Sequence, residues 1–206
     1  MRRVVIAPHQ DDESMGCGGL LAKYPGECLV VTVTDSGPVR AAEHERALAA
    51  LGHPAAVNLG FPDGGTPQLM TDLVAALDRV LAEHRPDEVY LPFPSLHQDH
   101  IATYEAGMRS GRVSMSTDHH FPPTVLVYDI AVYDVSLYPS DLRWNVFEQL
   151  DEAHVDAKAR ACASYVSEIP AAVHPINSVW EIAASVGHMR LLPYAEQYAL
   201  VRQVRR

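Results

Sequence analysis

An apolar run that stops dead at a cluster of acids constrains this chain more than anything else in it. Val4, Val5, Ile6 and Ala7 lead through Pro8 into His9, Gln10, Asp11, Asp12 and Glu13. The β-branched residues before the break read as a buried strand. Gly16, Gly18 and Gly19 beyond it read as a tight turn into a helix. The polar cluster then belongs at the C-terminal end of a strand, the edge at which open α/β sheets bind ligands. Three carboxylates beside an imidazole are costly to hold together without a cation or a reaction to serve. The stretch reads as half of a metal site.

A cycle of strand, polar loop and helix repeats along the chain. Residues 2–8, 28–34, 55–60, 87–93 and 124–133 read as strands, and residues 16–24, 40–51, 69–84, 101–108 and 148–165 as helices. Residues 109–120 read as an exposed loop, and 179–185 and 193–204 as short terminal helices. The alternation predicts an α/β fold: a Rossmann-like, mainly parallel sheet with right-handed crossovers, flanked by helices. With 206 residues and no visible linker or repeat, residues 1–206 are expected to form a single domain.

Composition excludes several classes of function. A net charge of −10 argues against a general electrostatic grip on nucleic acid or on an anionic membrane. No apolar run is long enough to span a bilayer. Cys17, Cys28 and Cys162 are too few and too widely spaced for a disulfide framework or a Cys-x-x-Cys zinc motif. Met1-Arg2-Arg3 leads into a short strand and not into a secretory apolar stretch. The expected setting is cytoplasmic.

The other half of the metal site is expected at His97 and His100, spaced i, i+3 where the fourth strand gives way to a helix. They occupy the same place in the cycle as His9 and the acids after it. Two neighbouring strands that deliver His and Asp to one edge can make a three-ligand site with an open position, which is what a catalytic zinc requires. Each half also has a bland reading. The acids alone suit the positive end of a helix dipole, and a lone His-x-x-His is often incidental. Gly16, Gly18 and Gly19 do not complete a dinucleotide-binding fingerprint, because Leu21 stands where its third glycine would be. Cys17 reads as a small buried residue, and His44 as surface or structural.

These motifs resemble those of the LmbE/PIG-L family of metal-dependent de-N-acetylases. That family includes enzymes that deacetylate GlcNAc-phosphatidylinositol and enzymes of mycothiol and bacillithiol synthesis. Its first motif, Ala/Pro-His-Pro-Asp-Asp-Glu, is matched by Pro8-His9-Gln10-Asp11-Asp12-Glu13, and its second, His-Pro-Asp-His, by His97-Gln98-Asp99-His100. In both, Gln replaces Pro and every ligand-type residue stays in place. Arg40 and Glu43, followed by Ala47, Leu51 and Gly52, are similar to the family's Arg-x-x-Glu helix. Leu59-Gly60-Phe61-Pro62-Asp63-Gly64 resembles its Leu-Gly-Phe-x-Asp-Gly loop. Residues 158–167 resemble a late Lys…Ala…Tyr-x-Ser helix, and Tyr194-Ala195-Glu196-Gln197-Tyr198 a Tyr-Ala-Glu-x-Phe ending.

The resemblance implies a division of labour. His9, Asp12 and His100 would bind zinc, with Fe2+ as another candidate metal. Asp11 would be the general base. His97 would stabilise an oxyanion or act as an acid, with Asp99 orienting it, and Glu13 would support from behind. Arg40 and Asp63 would contact the sugar, although each has a local alternative: a pair within its own helix for Arg40 and a turn for Asp63. Ser95 stands where some relatives carry a carbonyl-polarising Tyr. Whether Gln10, Ser95 or His188 touches substrate stays open. The implied reaction is zinc-dependent removal of an N-acetyl group from an N-acetylglucosamine-type substrate. The rivals are cleavage of another amide, such as a thiol conjugate, and a silent sugar-binding protein. The expected partner is a small amino sugar, and relatives that self-associate leave a homo-oligomer open.

Overall fold

The structure, a computed structural model, describes residues 2–130, 140–168 and 175–205. Its strands are β1 (Arg3–Ala7), β2 (Cys28–Asp35), β3 (Ala55–Pro62), β4 (Glu88–Pro92), β5 (Thr124–Tyr128), β6 (Trp144–Leu150) and β7 (Tyr194–Gln203). Its helices are α1 (Asp12–Lys23), α2 (Pro38–Ala50), α3 (Met70–His84), α4 (Gln98–Ser110), α5 (Glu152–Ala163) and α6 (Pro175–His188). The seven strands form one sheet in the order β3-β2-β1-β4-β5-β7-β6. β3 through β5 pair in parallel, and β7 runs antiparallel to both β5 and β6. The expected mainly parallel α/β sheet flanked by helices is the observed one. No described helix is long and apolar enough to cross a membrane.

The central strands are apolar throughout because both of their faces are covered. Side chains alternate across the sheet. Val4 and Ile6 join Val31, Val89 and Leu91 in a core under α3 and α4. Val5 joins Val30, Tyr90 and Leu126 in a second core with Cys17 and Leu20 of α1, Ala47 of α2 and Ala161 of α5. Each fully buried Val, Ile or Leu contributes about 1.5–3 kcal/mol relative to exposure.

Strand order reverses beside β1. The chain leaves β1 for β2 on one side and reaches β4 on the other, with Arg3, Val4 and Val5 opposite Glu88, Val89 and Tyr90. The turns after β1 and β4 therefore sit next to each other, at the switch point where this class of sheet binds ligands. Thr34 of β2 fixes the first turn, its N–H and hydroxyl both donating to the Pro8 carbonyl at 3.0 and 2.9 Å.

Three elements differ from the sequence reading. Gly16, Gly18 and Gly19 lie inside α1 and form no turn before it. They are contact points: a Cβ on Gly16 would run into the Tyr128 ring, and one on Gly18 would come within 2.7 Å of Lys158 Cγ. Residues 148–150 end β6, and α5 starts only after the Asp151 cap, whose side chain accepts the His154 N–H at 3.0 Å. Residues 194–203 form a strand where a helix was expected. That strand is buried on both faces, Ala199 in one core and Tyr198 in the other. Opposite β5 it also carries one extra residue, between Leu200 and Arg202, which breaks its period of two. Residues 131–133, the end of the expected fifth strand, lie outside the described residues.

Glu196 holds β7 to the helices. Its buried carboxylate accepts the N–H groups of Gly19 and Leu20 at 2.7 and 2.8 Å, Lys158 Nζ at 2.7 Å and the Tyr198 hydroxyl at 2.7 Å. Removing one partner of a buried ion pair leaves the other charge uncompensated. Glu196→Ala is expected to lower unfolding free energy by about 3–5 kcal/mol. A urea denaturation midpoint indistinguishable from that of the parent protein would contradict this account.

Candidate active site

The turn after β1 places His9 and Asp11 just ahead of α1, and Asp12 opens that helix. The turn after β4 places His97 as the cap of α4, and Asp99 and His100 fall in its first turn. Side chains from the two turns meet. Asp12 Oδ2 lies 3.2 Å from His9 Nδ1 and 3.3 Å from His100 Nε2, and it also accepts the His9 backbone N–H at 3.0 Å. The His9 and His97 rings meet edge-on with centroids 4.8 Å apart, and the His100 centroid is 5.3 Å from that of His9.

These spacings suit a small divalent cation. Ligand atoms about 2.0–2.1 Å from a tetrahedral zinc are separated by roughly 3.3 Å. The Asp12 carboxylate stands at that separation from one nitrogen of His9 and from one of His100. Two overlapping donor groups occur among the described residues: His9 with His97 and His100, and His9 with Asp63 and Asp99.

Electrostatics sets the two adjacent acids apart. Burial disfavours the charged form of Asp12, but the imidazoles of His100 and His9 outweigh it and hold the carboxyl below its ordinary value. Burial, reinforced by the Asp12 charge, pushes Asp11 up to about 8 against the pull of Arg40. A carboxyl in that range can exchange a proton near neutral pH. Burial alone would lower the His9 pKa, but Asp12, Asp99 and Asp63 raise it to about 9. A cation taken up by His9 must therefore displace a proton.

Asp11 is held from two sides. Arg40 Nη1 donates to its Oδ2 at 2.7 Å and to the Gln10 carbonyl at 2.9 Å. Its backbone N–H donates to Glu13 at 3.1 Å. Glu13 is fully buried and also accepts Ser14 Oγ at 2.6 Å and Tyr165 OH at 2.7 Å. Its carboxyl sits below the ordinary value because these donors and His44 offset burial. His44 is buried and structural, with Nδ1 2.9 Å from Tyr165 OH.

A cleft of about 400 Å³ opens over these groups. His9, Asp11, Asp12, Asp63 and His97 line it, with Arg40, Ser167 and Glu168 on one wall and Ser36 and Val39 on another. Arg40 is not confined to its own helix: it ion-pairs with Asp11 and Glu168, and its Nε is 3.7 Å from Glu43. Glu43 accepts the N–H and hydroxyl of Ser167 at 2.9 and 2.6 Å, which anchors that wall. Asp63, half-exposed, turns Oδ1 towards His9 Nε2 at 3.4 Å.

The structure redirects some assignments. The Asp99 carboxylate was expected on His97. It faces His9 Nε2 at 3.2 Å, and the bond between 97 and 99 runs from the Asp99 backbone N–H to His97 Nδ1 at 3.3 Å. His97 Nδ1 is thus an acceptor, which leaves Nε2–H as the donor of the neutral ring. Ser95 is buried, and its Oγ accepts the His97 N–H at 3.3 Å. Gln10 is buried and His188 exposed, and neither is among the described residues lining the cleft. Glu168 and Thr66 escaped the sequence reading. The Tyr-x-Ser motif just before Glu168 pointed at that wall, and nothing in the sequence marked Thr66.

Comparison with known proteins identifies the family. The sequence pattern of the PIG-L family, described as GlcNAc-PI de-N-acetylase, matches residues 4–110, and the chain belongs to that family of deacetylases. It is 27% identical over 179 residues to the uncharacterized deacetylase YaiS of Escherichia coli K12, covering 80% of this chain and 90% of that one. Among solved structures it resembles the conserved protein TT1542 of Thermus thermophilus, with a TM-score of 0.77 at 23% identity, covering 100% of this chain and 97% of that one. It also resembles the N,N'-diacetylchitobiose deacetylase of Pyrococcus horikoshii, with a TM-score of 0.68 at 21% identity, covering 97% and 83%. At these identities the two structures speak for the fold.

The contacts around Glu13 give a direct check. Tyr165→Phe removes one donor from a buried carboxylate and is expected to cost about 1–3 kcal/mol in chemical denaturation. Unchanged stability would mean that Tyr165 does not support the turn.

Proposed function

We propose that this chain is a zinc-dependent hydrolase that removes the N-acetyl group from an N-acetylglucosamine-type amino sugar. One observation carries the reading: Asp12 Oδ2 lies within 3.3 Å of imidazole nitrogens from both turns, with Asp11 beside it at the cleft. His9, Asp12 and His100 would hold the cation. When bound there, it supplies Lewis-acid chemistry, polarising an amide carbonyl and acidifying water. Fe2+ fits the same donors.

The chain's own groups do the rest. Asp11 takes the proton of the attacking water, a role suited by its place at the cleft beside Asp12. His97 directs Nε2–H at the amide oxygen and offsets the charge that develops there, and the proton taken up by Asp11 passes to the departing amine. Asp63 offers a half-exposed carboxylate to sugar hydroxyls. Arg40, fixed between Asp11 and Glu168, shapes the neighbouring wall and orients the base. Family membership supports deacetylation. The likeness to an enzyme named for N,N'-diacetylchitobiose supports an amino-sugar substrate. The acidic chain and the open, polar cleft suit a small soluble substrate, and the three buried thiols suit a reducing cytoplasm.

Asp11→Asn separates the base from the metal ligands. The variant should retain bound zinc while acetate release from N-acetylglucosamine derivatives falls by about 10²–10⁴-fold. Undiminished turnover in protein of verified metal content would refute the role given to Asp11.

A further inference from the structure

Asp99 is the one acid of the second motif, and its surroundings are unusual for a group meant to serve His97. Oδ1 accepts the Thr66 hydroxyl at 2.6 Å and the Thr66 N–H at 3.2 Å. Oδ2 accepts the Gly64 N–H at 2.7 Å and lies 3.2 Å from His9 Nε2. Asp99 and Thr66 are both 0% exposed. Three donors from one loop thus fix the carboxylate, and its remaining direction points at His9.

Both ring nitrogens of His9 face a carboxylate at 3.2 Å, Nδ1 that of Asp12 and Nε2 that of Asp99. An ionised carboxylate only accepts, so without a cation each nitrogen carries a hydrogen. A cation held by Asp12 would take the place of the Nδ1 hydrogen, and Asp99 would keep the one on Nε2. Metal-binding imidazoles are commonly fixed this way, by a carboxylate on the nitrogen that does not bind metal. The competing arrangement, a cation between His9 Nε2, Asp63 and Asp99, would have to share Asp99 Oδ2 with the Gly64 N–H.

We propose that Asp99, clamped by Thr66, is the positioning residue of the metal site, holding His9 as its Nε2–H tautomer and presenting Nδ1 to the cation. This rests on the assignment of His9 as a ligand in the function proposed above. It assigns a role to Thr66, which no motif marks. It also ties the metal ligand to the loop that carries Asp63, so that the wall of the cleft and the cation site are set by one buried carboxylate.

Zinc affinity tests this without any substrate. Metal-free full-length protein is titrated with Zn2+ against a chromophoric chelator, and thermal melting of the metal-free form confirms folding. Asp99→Asn is expected to weaken zinc binding by about 10–100-fold. Thr66→Val, which deletes only the hydroxyl donor, should weaken it in the same direction, and it stands as the test if Asp99→Asn fails to fold. In zinc-loaded protein, long-range ¹⁵N–¹H correlation of the His9 ring should show the hydrogen on Nε2. Parent-like zinc affinity in both Asp99→Asn and Thr66→Val, or a His9 hydrogen on Nδ1, overturns the proposal. Loss of acetate release with these zinc results intact would instead count against the proposed reaction.

Discussion

Parallel pairing of β1 with β4 is the constraint on which the rest of the site depends. Neither turn alone holds more than part of a donor set. The pairing sets Arg3, Val4 and Val5 opposite Glu88, Val89 and Tyr90 and so brings His9 and Asp12 to the same edge as Asp99 and His100. Both strands owe their positions to burial on two faces. The energy that assembles the polar site therefore comes from apolar residues that never touch it.

Buried charge needs answering in kind, and three carboxylates show how this fold does it. Glu13 has Ser14, Tyr165 and the Asp11 N–H; Asp99 has Thr66, Gly64 and His9; Glu196 has Lys158, Tyr198 and two helix N–H groups. Each ties together segments remote in sequence. Glu196 joins the last strand to α1 and α5, Glu13 joins α1 to the residues after α5, and Asp99 joins the β3–α3 loop to the first turn. Once its own lone pairs are satisfied, each acid acts as a fixed point for the groups around it. The cleft acids differ. Asp11 and Asp63 keep a face towards open space, where chemistry can reach them.

Much of this could be read from the chain. The apolar runs before His9 and His97 marked two strand ends, and the matched polar clusters after them marked one shared edge. What failed did so for physical reasons. The last strand is buried on both sides and carries a bulge opposite β5, so its spacing imitates a helix. The glycines after Glu13 looked like a turn because close packing and backbone freedom leave the same mark in a sequence. Asp99 was legible as a site residue but not in its direction, since spacing along a helix start does not say which imidazole a carboxylate will face. Thr66 carries no periodic or motif signal and Glu168 merely follows the Tyr-x-Ser motif, and the fold brings both to the site.

The central claim is that two separate turns build one cation site on His9 Nδ1, Asp12 Oδ2 and His100 Nε2. Anomalous diffraction at the zinc absorption edge, from crystals of the zinc-loaded protein, tests it most directly. The account predicts one strong peak within bonding distance of those three atoms, about 2.0–2.2 Å, with His9 Nε2 still facing Asp99. A peak seated between His9 Nε2, Asp63 and Asp99, or no peak at this edge of the sheet, would contradict it.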